Sequence, residues 1–319
     1  QYQLTTAVSP VGGGLVTPAN GTWIDAGTVQ SVQAVYTTSW QFGSWSGDLS
    51  GSANPTNLTM DAAKSVTASF NPMLQVTSAY GSPSPAVGTS YPTYNSTVNA
   101  SVTSPISGGA GIRYVCTGYT GSGSAPSGSG TLCSFTISYP STLTWNWKTQ
   151  YQLTSSVSPA GTGTTAPADG TWIDAGTLQS VEAVGNPGWQ LGSWSGDLSG
   201  SMNPQDLTMD APKSVSASFN PALTVLSDHG MPSPSVGTFY PAYNLTLEAT
   251  VNSPVDGDAG VRYVCTGYTG TGDVPASGTD LSCNFTLTQP STLTWNWKTQ
   301  YQLSYTAWFH GTIQGDSPQ

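Results

Sequence analysis

The strongest constraint on this chain is that most of its sequence is written twice. Gln1-Tyr2-Gln3-Leu4-Thr5 returns at Gln150 and again, ending in Ser304, at Gln300. GSWSGDLSGS begins at Gly43 and at Gly192, RYVCTGYTG at Arg113 and Arg262, and STLTWNWKTQYQL at Ser141 and Ser291. The period is about 149 residues, so each repeat is larger than one supersecondary unit and must contain its own cores. Within each copy a second division falls at Phe70-Asn71-Pro72 and Phe219-Asn220-Pro221. First-type modules are expected at 1–72 and 150–221, second-type modules at 73–149 and 222–299, with a tail at 300–319.

The local pattern inside each module has period two. Val66, Ala68 and Phe70 alternate with Ser65, Thr67 and Ser69, while Leu143, Trp145 and Trp147 alternate with Thr144, Asn146 and Lys148. Such alternation describes strands with one buried face, and no long stretch with the helical period interrupts it. The fold class is therefore all-β, a tandem array of four small modules. At the module boundary no Gly or Pro breaks the run from Ser141 to Val157. One strand is expected to leave one module and enter the next, which makes a flexible linker unnecessary and the array rod-like.

The first-type segments resemble the divergent internalin B-repeat-like modules of bacterial and archaeal surface proteins. The resemblance is carried by the opening YQLT, by the segment from Phe42 to Asp48 (with Leu191 in place of the aromatic in the second copy), and by LTMD-x-x-KSVTASF. It implies a small β-grasp-like sheet module in a secreted or surface-anchored protein. The second-type segments, with VTSAYGSPSPAVG from Val76 to Gly88, are similar to the Ig-like sandwiches found beside such modules. Neither resemblance brings catalytic residues with it.

Composition points the same way. Charged residues make up 7% of the chain, against roughly 25% in an average globular protein. The formal net charge of −10 disfavours binding to nucleic acid, which needs a basic face. No apolar run is long enough to span a membrane as a helix. The chain opens directly on a strand-like Gln1-Tyr2-Gln3-Leu4, which reads as a mature form whose leader has been removed. A secreted, cell-surface location is the expectation.

The cysteines fall two per copy, Cys116 with Cys133 and Cys265 with Cys283. Among three possible connectivities, pairing within each copy is the most economical. Each pair brackets a Gly/Ser-rich segment, and closing a loop of that size stabilises by roughly 3 kcal/mol in the chain-entropy model. Zinc ligation by two cysteines without nearby histidines or carboxylates is the poorer alternative. Disulfides would place the chain in an oxidising compartment.

N-x-S/T sequons begin at Asn20, Asn57, Asn95, Asn99, Asn244 and Asn284. Chance supplies some in a chain this rich in Ser and Thr. Glycans would, however, solubilise a surface that carries few charges. Tryptophans invite a carbohydrate-binding reading, but Trp45, Trp145, Trp147, Trp194, Trp295 and Trp297 stand at core spacing. Trp23 and Trp172, in the turn-like GTWIDAGT, are the candidates for exposure.

For catalysis the sequence offers little. His229 and His310 are the only histidines, and neither aligns with a histidine in the other copy. No nucleophile motif of the G-x-S-x-G kind is placed on a strand-to-helix turn. Asp25, Asp48 and Asp61 recur as Asp174, Asp197 and Asp210, a pattern that fits turn residues bonding their own backbone. Asp256-Gly257-Asp258 is a weak suggestion of calcium without the remaining ligands. The chain is expected not to be an enzyme, and to need no cofactor or metal.

Copy one, residues 1–149, has three basic and three acidic residues; residues 150–299 have three and twelve. The additional carboxylates, among them Glu182, Asp206, Asp228, Glu248 and Asp280, replace neutral residues and are expected at the surface. Three functions compete: a filament or stalk subunit, an adhesin meeting surface glycans, and a spacer within a larger surface protein. The tail bears on the first. Tyr301, Leu303 and Tyr305, continued by Trp308, form a strand-like face with an open edge. Either that strand finishes its own second-type module, or it adds to a sheet of the next copy to give a head-to-tail polymer.

Overall fold

The structure is a computed structural model, and residues 1–305 are described. Every regular element among them is a strand. The chain divides into two compact units, Gln1–Gln150 and Tyr151–Gln319. Each unit holds two separate hydrophobic cores, and these follow the division at Asn71 and Asn220.

In the first-type module of unit one, Tyr2–Ser9 lies at the centre of a four-stranded sheet. It runs parallel to Lys64–Pro72 and antiparallel to Thr22–Ile24, and Trp40–Gly47 flanks Lys64–Pro72 on the other side. The parallel pairing of the first and last strands is the feature expected of a β-grasp-like sheet. Among the described residues no helix crosses it; a three-stranded sheet of Gly14–Thr17, Val29–Tyr36 and Thr56–Thr59 covers the core instead. The period-two pattern is realised as read: Val66, Ala68 and Phe70 are fully buried. Leu4, Val32, Trp45 and Met60 complete that core from the other strands. The module recurs in unit two, where Leu153 pairs with Lys213 in the same parallel register.

The second-type module is a two-sheet sandwich. Leu74–Ser78 runs parallel to the start of Ser141–Ser158, and Ile112–Ser122 extends that sheet toward Ile106–Gly109. The facing sheet has two strands, Thr97–Ser101 and Leu132–Thr136. Between them lie Leu74, Val76, Ala100, Phe135, Leu143 and Trp145. At Gly118 (φ +139°) a Cβ would run into the carbonyl oxygen of Gly128, so only glycine fits this close approach of two strands. Gly267 (φ +116°) meets Gly278 in the same way in unit two.

The uninterrupted run at the boundary is a single strand, Ser141–Ser158. Its first residues pair with Leu74–Ser78 and its last with Lys213–Pro221. Its counterpart, Ser291–Tyr301, stops sooner.

The FNP motif is more than a divider. Asn71 Oδ1 accepts the Tyr94 N–H at 3.2 Å, and Asn220 donates to the Tyr240 carbonyl while accepting from Tyr243 N–H, each at 3.3 Å. One asparagine side chain thus stitches the two modules of each unit together through hydrogen bonds to the backbone.

Candidate functional site

The tail strand is positioned by the second-type module of unit two. Ser291–Tyr301 pairs with Val261–Thr271 along its length, ending at Tyr301 opposite Val261. Gln302 N–H donates to the Gly260 carbonyl at 2.7 Å, and Arg262 Nε donates to Gln300 Oε1 at the same distance. Up to Gln302, therefore, the tail finishes its own module. At this end of the strand the apolar side chains lie open: Tyr301 is 76% exposed, Leu303 82% and Tyr305 42%. Trp308 and His310, with the rest of 306–319, lie outside the described residues.

The same sequence has a different fate at its other two occurrences. Leu4 and Leu153 are fully buried, each on a strand that runs parallel to the last strand of a first-type sheet. Tyr2 and Tyr151 pack against the cores that those leucines enter. Tyr301 and Leu303 have the side chains of a core strand without the core.

Beside this strand a shallow surface depression is lined by Asp256, Asp258, Arg262, Gln300 and Tyr301. Asp256 and Asp258 are exposed on the hairpin before Val261, where the Asp258 carbonyl closes the turn by accepting Val261 N–H at 2.8 Å. Among the described residues no group of three or more His, Cys, Asp or Glu side chains converges as a metal site would.

The four cysteines are buried free thiols in the structure, so the expected Cys116–Cys133 and Cys265–Cys283 bonds are not formed in it. Each pair nonetheless shares one core, with one cysteine on each of the two facing sheets. The Cys116 thiol lies 3.4 Å from the Gly118 carbonyl. Burial, followed by the neighbouring Tyr119 hydroxyl, sets the Cys133 thiol: the first raises its pKa and the second lowers it, and the net direction is up. A thiol held protonated in this way is a poor nucleophile.

Aromatic side chains sort as their spacing implies. Trp45, Trp145, Trp194 and Trp295 are buried, and Trp147 and Trp297 pack half-buried against the second-type cores. Trp145 and Trp295 leave their indole N–H groups without a conventional acceptor. Each ring lies roughly perpendicular to a tyrosine ring, Tyr119 at 5.4 Å and Tyr268 at 5.7 Å. Of the two turn tryptophans, Trp23 is 61% exposed, while Trp172 is half-buried.

Other functional-looking residues prove structural. His229 stacks on Tyr263 at 3.5 Å and meets Trp297 edge-on; Tyr80 takes its place in copy one against Tyr114 and Trp147. Asp48 caps the last strand by accepting Ser65 N–H at 2.6 Å, and Lys64 pairs with Asp61 at 2.7 Å. The hydrogen bond and charge of Lys64 hold the Asp61 carboxyl below its usual value. Asp197, Lys213 and Asp210 repeat the arrangement. Sequence reasoning missed Asn54 and Asn203. Their side chains mimic a strand, accepting from the N–H and donating to the carbonyl of Ala34 and Ala183. The repetition of Asn-Pro at both places was the available signal.

The fold and the open strand define an all-β tandem-repeat protein. The family model described as a divergent InlB B-repeat domain matches residues 4–74 and 151–223, which are the two first-type modules. That match supports a surface-associated repeat protein. No curated protein and no solved structure matched the chain. No helix among the described residues is long and apolar enough to cross a membrane.

Proposed function

We propose that this chain is a structural subunit of an extracellular surface fibre or stalk, joined head to tail through the strand at 300–305. The observation that carries the reading is the contrast between Leu303, which is 82% exposed, and its fully buried counterparts Leu4 and Leu153. Burying a leucine side chain contributes about 1.5–3 kcal/mol relative to leaving it in water. The occupant that fits is an open edge of a first-type sheet in a second copy, the central place of that sheet being filled by its own opening strand. Association by strand addition would satisfy the edge by backbone hydrogen bonds while Tyr301 and Leu303 supply the apolar contact. The chain's role in this reading is mechanical, and no residue is assigned to catalysis.

The test is the size distribution of the purified chain by light scattering and electron microscopy, beside a Leu303→Asp variant and a truncation lacking 304–319. Wild type should form concentration-dependent linear polymers, and both variants should remain folded monomers. Polymers that persist in both variants would remove the mechanism. A wild-type chain that stays monomeric would remove the reading itself.

An oxidised form belongs to the same proposal. Facing sheets, one shared core and a packed Trp145 or Trp295 are the setting in which an inter-sheet disulfide staples a sandwich. Non-reducing peptide mapping should find Cys116 with Cys133 and Cys265 with Cys283. Free thiols in secreted material would refute it.

The adhesin alternative rests on Trp23, exposed on the edge strand Thr22–Ile24 opposite Gln3. A glycan array that showed binding abolished by Trp23→Ala would favour it.

A further inference from the structure

A surface with so few charges must be hydrated in some other way, and the two copies differ at the positions where that matters. All six sequon asparagines, Asn20, Asn57, Asn95, Asn99, Asn244 and Asn284, are exposed. Copy two has nine carboxylates that copy one lacks, the difference between twelve and three. Three of them fall in register on sequon asparagines of copy one: Asp169 on Asn20, Asp206 on Asn57 and Glu248 on Asn99.

The local structure is kept in each pair. Asn20 Oδ1 accepts Thr6 N–H at 2.9 Å, and Asp169 Oδ1 accepts Ser155 N–H at 2.7 Å. Asn57 stands opposite Ser31 on an edge strand, and Asp206 stands opposite Ser180. Asn99 faces Ser134 across the two-stranded sheet, and Glu248 faces Asn284. On that sheet the sequon has moved to the partner strand: where copy one has Asn99 and Ser134, copy two has Glu248 and Asn284. At the fourth position the sequon stays, with Asn95 (φ 61°) and Asn244 (φ 66°) in the same left-handed turn. Their N–H groups donate at 2.8 Å to the carbonyls of the corresponding residues Ile137 and Leu287.

We propose that these asparagines carry N-linked oligosaccharide, and that the matched carboxylates of copy two hydrate the same outward positions by charge. A sugar and an ionised carboxylate are two solutions to one requirement, a strongly hydrated group on a strand position that must not pair or aggregate. The acceptor atom is the side-chain Nδ2. It attacks the anomeric carbon of an oligosaccharide carried on a lipid diphosphate, supplied with its own transferring enzyme. The N–C bond forms as the bond from that carbon to the diphosphate oxygen breaks. The lipid diphosphate leaves with the electron pair, and Nδ2 gives one proton to a base of that enzyme. Since Asn20 and Asn99 engage their neighbours through Oδ1, Nδ2 is the atom left for the sugar. The inference does not depend on how the chain assembles.

Two measurements test it. In glycopeptide mass spectrometry of the chain from its natural source, peptides containing Asn20, Asn57, Asn95, Asn99, Asn244 and Asn284 should carry carbohydrate mass. Six unmodified asparagines would overturn the proposal. In the second, chain produced without glycosylation is compared with an Asn20→Asp, Asn57→Asp, Asn99→Glu triple variant. The variant should fold as wild type does and remain soluble to at least about twice the concentration at neutral pH. Equal solubility, or failure to fold where copy two folds with these same residues, would overturn the exchange of sugar for charge.

Discussion

In copy one the Ser124 hydroxyl accepts the N–H groups of Ser138 and Tyr139 at 3.0 and 2.9 Å. In copy two Asp273 does this work, accepting from the backbone of Thr288 and Gln289 and from both of their side chains. Around these two residues the modules are nearly superposable in sequence, with the same glycine at the crossing and the same tryptophan in the core. The two copies thus keep their interiors and exchange their means of meeting water. A neutral hydroxyl becomes a carboxylate, sequon asparagines become carboxylates, and Tyr80 becomes His229. Interiors are close-packed and resist changes of volume, whereas an exposed position requires only that its occupant be hydrated.

The largest expected effects test whether the interiors are equivalent. Trp145→Ala and Trp295→Ala should each cost about 3–5 kcal/mol, and by the same amount in both copies. Hydrogen exchange resolved by module under urea would read this, and a clear inequality would break the equivalence. Gly118→Ala and Gly267→Ala should likewise destabilise in parallel, because each Cβ would strike a backbone carbonyl.

Next comes the exchange at 124 and 273. Asp273→Ala should cost about 1.5–3 kcal/mol, since a charged acceptor is lost, and Ser124→Ala about 1 kcal/mol. Acid should separate the copies as well. Burial raises the Asp273 pKa, but the bonds from Thr288 and Gln289 outweigh it and the net direction is down. A depressed carboxyl stabilises above its unfolded value and loses that contribution as pH falls through the folded one. Below about pH 4 the second-type module of copy two should therefore open before that of copy one. Simultaneous opening would mean that Asp273 contributes nothing beyond its serine counterpart. The smallest effect is expected from His229→Tyr, below about 1 kcal/mol, because Tyr80 already holds that stack in copy one.

Much of the fold was legible because period-two alternation maps directly onto buried and exposed faces. Val66, Ala68 and Phe70 show it in one module, Leu143 and Trp145 in the other. The division at FNP was legible too, as was the strand running through Ser141 to Ser158. Pairing order was not. Nothing in the run KSVTASF announces that it lies parallel to Tyr2–Ser9, since register depends on chain distant in sequence. The stitching partners of Asn71 and Asn220 were invisible for the same reason, and the strand-mimicking amides of Asn54 and Asn203 showed only as a repeated Asn-Pro whose partner the sequence does not name. Side-chain to backbone bonds across about 20 residues leave no local pattern. The tail was legible only in part. The pattern ran on through Leu303, but the strand ends at Tyr301, where Val261 is its last partner.

The most direct measurement is hydrogen exchange on the peptide spanning 296–305, compared between dilute monomer and assembled fibre. Amides at 303–305 should exchange freely in the monomer, since pairing within the module stops at Gln302, and should gain strong protection on assembly as strand addition pairs them. Fibres in which those amides stay as exposed as in the monomer would show that this strand is not the joint.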